Sequence, residues 1–216
     1  MLRPLCLAAF ILACSIPHQV FAAADDDDEK PLTLDQMTAS MVTQSKFMLW
    51  DGDLYKTNAQ WWTHPTDEMK GEITSDVSHS GKHCLAFHGD GAAWLGFGFN
   101  LSGWYPPDAV YDISNYKNLS FWIRIDAAPG LFPNRPNVHL SQPGDKNNTS
   151  NTVDIEAYAP NLMDGKWHEV VIPLKHLRTR TFDLTKVWEI GIGTWAQDRR
   201  SFDMYIDEIG VDNRTE

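Results

Sequence analysis

Asp164–Leu174, DGKWHEVVIPL, is the stretch whose reading decides the fold. Asp164-Gly165 is a turn dipeptide, because both residue types tolerate the backbone angles of tight turns. Trp167 to Leu174 are rich in aromatic and β-branched residues, which predicts a strand. Val170, Ile172 and Leu174 alternate and so face one core. Trp167 is one residue out of step, which predicts a bulge near His168 or Glu169. Pro173 lacks an N–H and limits further pairing at the strand end.

Working outward, the same period of two recurs along the chain. Phe47 to Trp50 opens the pattern and Asp51-Gly52-Asp53 ends that strand. A long piece containing Trp61-Trp62 follows and reads as irregular. Ile73 to Ser78, the turn His79 to Lys82, and His83 to His88 form the next pair. In Trp94 to Leu101, the residues Leu95, Phe97, Phe99 and Leu101 oppose Trp94, Gly96, Gly98 and Asn100. In Leu119 to Asp126, Leu119, Phe121, Ile123 and Ile125 oppose Ser120, Trp122, Arg124 and Asp126. Beyond a proline-rich loop come Val138 to Ser141 and then Val153 to Tyr158, where Asp154, Glu156 and Tyr158 share one side. Val187 to Trp195 and Phe202 to Val211 complete the series. In the last of these, Ile209 and Val211 continue the inward set of Phe202, Met204 and Ile206 after a one-residue shift at Asp207-Glu208. Roughly ten short strands, with no amphipathic helix after Lys46, predict an all-β, two-sheet sandwich of jelly-roll type.

The formal charge is −11, which argues against nucleic acid and anionic membranes as partners, since both need a basic surface. Nine Trp, six Tyr and ten Phe supply both core filling and flat surfaces for sugar rings. Residues 1–22 carry an export signal pattern: Arg3, an apolar run from Leu5 to Ala13, and Val20-Phe21-Ala22 before a cleavage point. Cys14 is the alternative, a lipid-attachment site, disfavoured by the bulky Leu12. The run is too short and wrongly flanked for a membrane span. Residues 23–46 are an acidic leader, Asp25 to Glu29, followed by a short possible helix over Thr33 to Lys46. Cys84 is then the one cysteine of the mature chain, so no internal disulfide is expected, and its apolar surroundings predict a buried, inert thiol.

Four segments carry a family likeness: Ser78 to Lys82, Ile113 to Arg124 (ISNYKNLSFWIR), Gly165 to Leu174, and Phe202 to Val211 (FDMYIDEIGV). Together, over 47–213, the chain resembles the jelly-roll carbohydrate-binding modules of the galactose-binding-like superfamily, closest to family eleven. That resemblance implies a secreted or periplasmic, non-catalytic domain gripping a poly- or oligosaccharide, with no organic cofactor. It also implies a structural calcium held by Asp51 or Asp53, by carbonyls of the His79 to Lys82 turn, and by Asp207; the alternative is that Asp51 and Asp207 only cap a turn and a bulge.

The side chains facing away from the core name the candidate ligand site: Trp94, Trp122, Arg124, His139, Asp154, Glu156, Tyr158 and Trp195. Aromatic planes stack on the C–H faces of sugars, an arginine fork donates to paired oxygens, and carboxylates accept from hydroxyls. Trp61-Trp62 and Trp104-Tyr105 are read as staples holding loops down rather than as a platform. His79, His83, His88 and Asp90 lack zinc-site geometry, because His83 and His88 point to opposite strand faces. Two other functions stay open. One is a small jelly-roll glycoside hydrolase or polysaccharide lyase drafting Tyr158, His139 and Glu156. The other is an adhesion or interaction domain with an envelope protein partner. Asp154 and Glu156 on one strand side are poorly placed to flank a glycosidic bond.

Overall fold

The computed structural model describes residues 45–50, 60–64, 69–89, 95–100, 110–127, 136–143, 149–194 and 202–215, all within the compact unit Pro31–Glu216. The expected signal and acidic leader lie outside the described residues, as do Asp51, Asp53, Trp94, Trp104, Tyr105, Trp195 and the expected helix as far as Gln44; Lys46, its expected last residue, instead opens a strand.

In chain order the strands are β1 (Lys46–Trp50), β2 (Gln60–His64), β3 (Met69–Thr74), β4 (Cys84–Gly89), β5 (Leu95–Asn100) and β6 (Asn118–Ala127). They continue with β7 (Asn137–Ser141), β8 (Val153–Asp154), β9 (His168–Pro173), β10 (Glu189–Thr194) and β11 (Phe202–Asp212). A short helix, α1 (Leu174–Leu177), follows β9. The strands form two antiparallel sheets. One has six strands, in the order β3-β4-β11-β6-β9 with β1 also on β11; the other has five, β2-β5-β10-β7-β8. This is a jelly-roll β-sandwich, the architecture the alternating pattern predicts.

Between the sheets lies one core. Phe121, Ile123 and Ile125 of β6 and Met204 and Ile206 of β11 meet Phe97 and Phe99 of β5 and Ile190 and Ile192 of β10, all buried. Phe87 on β4 stacks on Phe97 at 3.8 Å between ring centroids, joining one sheet to the other. Each fully buried side chain of this size contributes about 1.5–3 kcal/mol of transfer free energy. With no disulfide among the described residues, the core carries the fold. Cys84 is buried as expected, its Sγ donating to the Val77 carbonyl at 2.6 Å.

β11 organises the larger sheet. Its first half pairs with β4, its second half with β1, and β6 runs along its other edge. The register breaks between Asp207 and Gly210, where Glu208 takes a φ of 51°. That is the one-residue shift read from Ile206 and Ile209, and a residue in the left-handed region is how a bulge absorbs it.

Two expectations need correction. β9 pairs with β6 in unbroken register from His168 opposite Ile123 to Pro173 opposite Asn118, so it carries no bulge. Trp167 is out of step because it precedes the strand and meets His79 edge-on at 5.8 Å. Likewise β8 ends at Asp154, and Ile155–Ala157 form a 3-10 turn with the Tyr158 N–H donating to the Ile155 carbonyl at 2.9 Å. Glu156 and Tyr158 therefore do not continue the alternation of Asp154. Buried Ile155 pulls the chain into the turn instead.

Candidate functional site

The outer face of the six-stranded sheet is closed upon itself. Trp122 on β6 is covered by His79, whose ring stacks on the indole at 3.6 Å with planes 14° apart. The turn carrying His79 is held by Asp207 at the β11 bulge. One oxygen of that carboxylate accepts from the N–H groups of His79 at 2.9 Å and Ser80 at 3.1 Å, and the other from Glu208 at 2.8 Å. Burial nevertheless holds the Asp207 carboxyl above its usual range. Arg124 donates Nε and Nη2 to the two oxygens of Asp126, at 2.9 and 2.7 Å, and its guanidinium sits 5.7 Å from the Tyr205 ring centre. His88 lies between Asp203, at 2.6 Å, and Glu72, at 3.4 Å. Trp122, Arg124 and His88 on this face thus already have their partners.

The outer face of the five-stranded sheet is built differently. One register row crosses four strands: Trp62 on β2, Gly98 on β5, Gly191 on β10 and His139 on β7. The two central glycines leave a hollow, and the flanking rings fill it. A Cβ on Gly98 would stand 2.6 Å from Trp62 Nε1 and 2.8 Å from its Cε2, so the indole edge occupies the space above Gly98. A Cβ on Gly191 would stand 2.6 Å from His139 Nε2, so the imidazole occupies the neighbouring space. Glycine in a strand marks such close approach. The two half-buried rings thus lie down across adjacent strands rather than standing off the sheet.

Glu189, two residues from Gly191 on β10 and so on the same face, fixes the indole. Its Oε2 accepts from Trp62 Nε1 at 2.9 Å and its Oε1 from Ser141 Oγ at 2.9 Å. Burial raises the Glu189 carboxyl above its usual range, and the two hydrogen bonds work against that rise. Burial also lowers His139, which keeps the imidazole neutral at pH 7. In the opposite direction along the sheet, Asn137 pairs with Asp154 and puts an amide and an exposed carboxylate beside His139. The result is a preformed apolar surface with hydrogen-bonding groups at its edges, the composition of a sugar-binding face.

The candidate residues therefore divide. His139 and Asp154 share the five-stranded face. Trp122 and Arg124 lie on the other sheet, engaged with His79 and Asp126. Tyr158 sits beyond the 3-10 turn with its hydroxyl 2.9 Å from His176 Nδ1, and Glu156 lies within that turn. Sequence reasoning missed Trp62 and Glu189. Trp62 belongs to β2 and not to an irregular loop, and the signal for it was the Gly-x-Gly spacing of Gly96 and Gly98 and of Gly191 and Gly193. For the expected calcium, Asp51 and Asp53 are outside the described residues. Among the described residues no three acidic, histidine or cysteine side chains converge, and the Asp207 carboxylate accepts from three N–H groups.

Comparison with known proteins agrees with the jelly-roll fold. No curated protein sequence matches the chain. The structure is similar to the family 30 carbohydrate-binding module of a cellulosomal cellulase of Clostridium thermocellum, with a TM-score of 0.60 at 15% identity over 79% of this chain and 99% of that one. It is also similar to a family 11 module from the same organism, in complex with a β-1,3-1,4-mixed-linked tetrasaccharide (TM-score 0.53, 16% identity, 79% and 97% covered). A β-1,2-glucanase from Parabacteroides distasonis shares the fold over 24% of its length (TM-score 0.53, 17% identity, 77% of this chain). The family model for carbohydrate binding domain 30 matches residues 41–213. The chain thus belongs to carbohydrate-binding family 30, and its domain is a non-catalytic carbohydrate-binding module.

Proposed function

We propose that this module grips a β-linked glucan on the outer face of the five-stranded sheet, along the Trp62–His139 row. The observation that carries this reading is the indole of Trp62 laid over Gly98 and tied to Glu189. A sugar ring stacks by its C–H face on an indole held flat, and its hydroxyls reach Glu189, Asn137 and Asp154. The other sheet supports a site less well, because Trp122 is already stacked by His79 and the Arg124 fork already holds Asp126. The mixed-linked glucan in the family 11 complex suggests the linkage class to test first. We further propose that the chain is exported, its first 22 residues removed and residues 23–46 acting as a tether; mass spectrometry of the mature protein should then find Ala23 at its start.

Affinity electrophoresis in mixed-linkage β-glucan tests the site. Trp62→Ala should abolish retardation, while Trp122→Ala should leave it unchanged. The assignment to the five-stranded face fails if Trp122→Ala removes binding and Trp62→Ala does not.

A further inference from the structure

A second, basic groove lies at one end of the six-stranded sheet, where β6 begins and β9 ends, on the sheet opposite the Trp62 row. It has a volume of about 430 Å³, in the range of small-ligand sites. Lys117, Lys175, Arg178 and Arg214 line it, and no acidic side chain does. That is notable in a chain of formal charge −11.

Arg214 is already neutralised, by Asp212 at 2.7 Å and Glu169 at 2.5 Å. Lys117, Lys175 and Arg178 are exposed and have no carboxylate within ion-pair distance among the described residues. Arg178 is near enough to Asp183 to help hold that carboxyl below its usual range, behind the hydrogen bonds from Thr185, but forms no ion pair with it. Beneath these cations the floor is apolar: Tyr116, Pro173 and Leu174, all buried.

We propose that this groove is a second ligand site, for an oligosaccharide bearing carboxylates, such as a uronate chain. Three unpaired cations call for an anionic ligand, and the arginine fork suits the planar carboxylate of a uronate. Half-buried Leu184 beside that floor adds C–H surface, which suits sugar rings; an acidic peptide would bring a row of backbone N–H and C=O groups, for which the lining holds few neutral polar side chains, Ser114, Asn118 and Thr215. General charge attraction does not explain such binding, because the molecule as a whole repels anions.

Isothermal titration with an oligogalacturonide at low salt tests the proposal, with poly-glutamate of equal length as the charge control. Wild-type protein should bind the oligogalacturonide, and Lys175→Glu with Arg178→Glu should weaken it by on the order of tenfold or more, as expected for exposed contacts reversed in sign. The Trp62→Ala variant should bind it like wild type, which separates this site from the glucan face. Melting temperature checks the fold, and if the double variant melts lower, Lys117→Gln and Lys175→Gln serve in its place. The site is refuted by no binding, by undiminished binding in the charge variants, or by loss of binding in Trp62→Ala. Equal binding of poly-glutamate refutes the saccharide.

Discussion

Gly98→Ala tests the geometry at its tightest point. The added methyl would stand 2.6 Å from Trp62 Nε1 and 2.8 Å from the Ile190 carbonyl oxygen, well inside the 3.4 Å at which ordinary contact begins. The indole can swing away, but the carbonyl belongs to the β5–β10 ladder and cannot. Relief on the Trp62 side breaks the 2.9 Å bond to Glu189, leaving that carboxylate with Ser141 alone. Overpacking of this kind costs about 1–3 kcal/mol. For a domain of this size that lowers the melting temperature by roughly 2–12 °C. Losing the flat indole should also weaken glucan binding by at least about tenfold, or 1.4 kcal/mol, the modest end of what a buried aromatic anchor contributes. Calorimetric titration with a gluco-oligosaccharide reads the affinity and a thermal melt reads the stability. Unchanged affinity in a destabilised variant would refute the Trp62 row as the binding face. Unchanged affinity and melting together would refute the close approach itself.

Three further outcomes follow from other positions. Asp207→Asn places an NH2 where one carboxylate oxygen now accepts N–H groups, so at least one buried donor is left without an acceptor; urea unfolding should show a loss of about 1–3 kcal/mol, and the fluorescence of Trp122 should change as the His79 turn loosens. Burial pushes the Cys84 thiol up to about 12, so a disulfide reagent at pH 8 should leave it unmodified in the folded domain and react once urea exposes it; rapid labelling of the native protein would contradict the buried placement. For His139 the folded value lies below the ordinary 6.5, so the unfolded chain takes up the proton first. The stability due to its neutral form is full above pH 6.5 and is lost as pH falls toward the folded value, at no more than about 1.4 kcal/mol per pH unit. His139→Gln should flatten that part of a stability-against-pH curve.

Much of the fold was legible because period two says which residues of a strand share a face. Phe121, Ile123 and Ile125 were assigned inward on that basis and are buried, and the phase shift from Ile206 to Ile209 located the bulge at Glu208. The site was less legible, because alternation does not say which strands are neighbours. Trp122 and His139 both face outward, yet β6 pairs with β9 and β11 whereas β7 pairs with β8 and β10. Trp62 and Glu189 are 127 positions apart, and nothing local connects them. Trp61 and Trp62 are both aromatic, so β2 showed no alternation. Tyr158 was misplaced for a local reason, the 3-10 turn that ends β8 after two residues.

The two outer faces differ in how free their side chains are to meet a ligand. On the six-stranded sheet, aromatic and charged residues are abundant, but the central ones are already engaged: Trp122 by His79, Arg124 by Asp126, His88 by Asp203. A sugar arriving there would have to break those contacts before making its own. On the five-stranded sheet, Gly98 and Gly191 replace side chains in the middle of adjacent strands, at a cost of about 1–2 kcal/mol together relative to alanine. Packing of the core does not require them, since both project away from Phe97, Phe99, Ile190 and Ile192. The space they leave lets Trp62 and His139 lie flat, and the relay from Ser141 through Glu189 holds the indole there before any ligand arrives. A side chain fixed in advance loses little rotamer freedom on binding, so more of the stacking energy remains as affinity. The glycines, which read as empty positions in the alternation, are therefore the feature on which the proposed site rests.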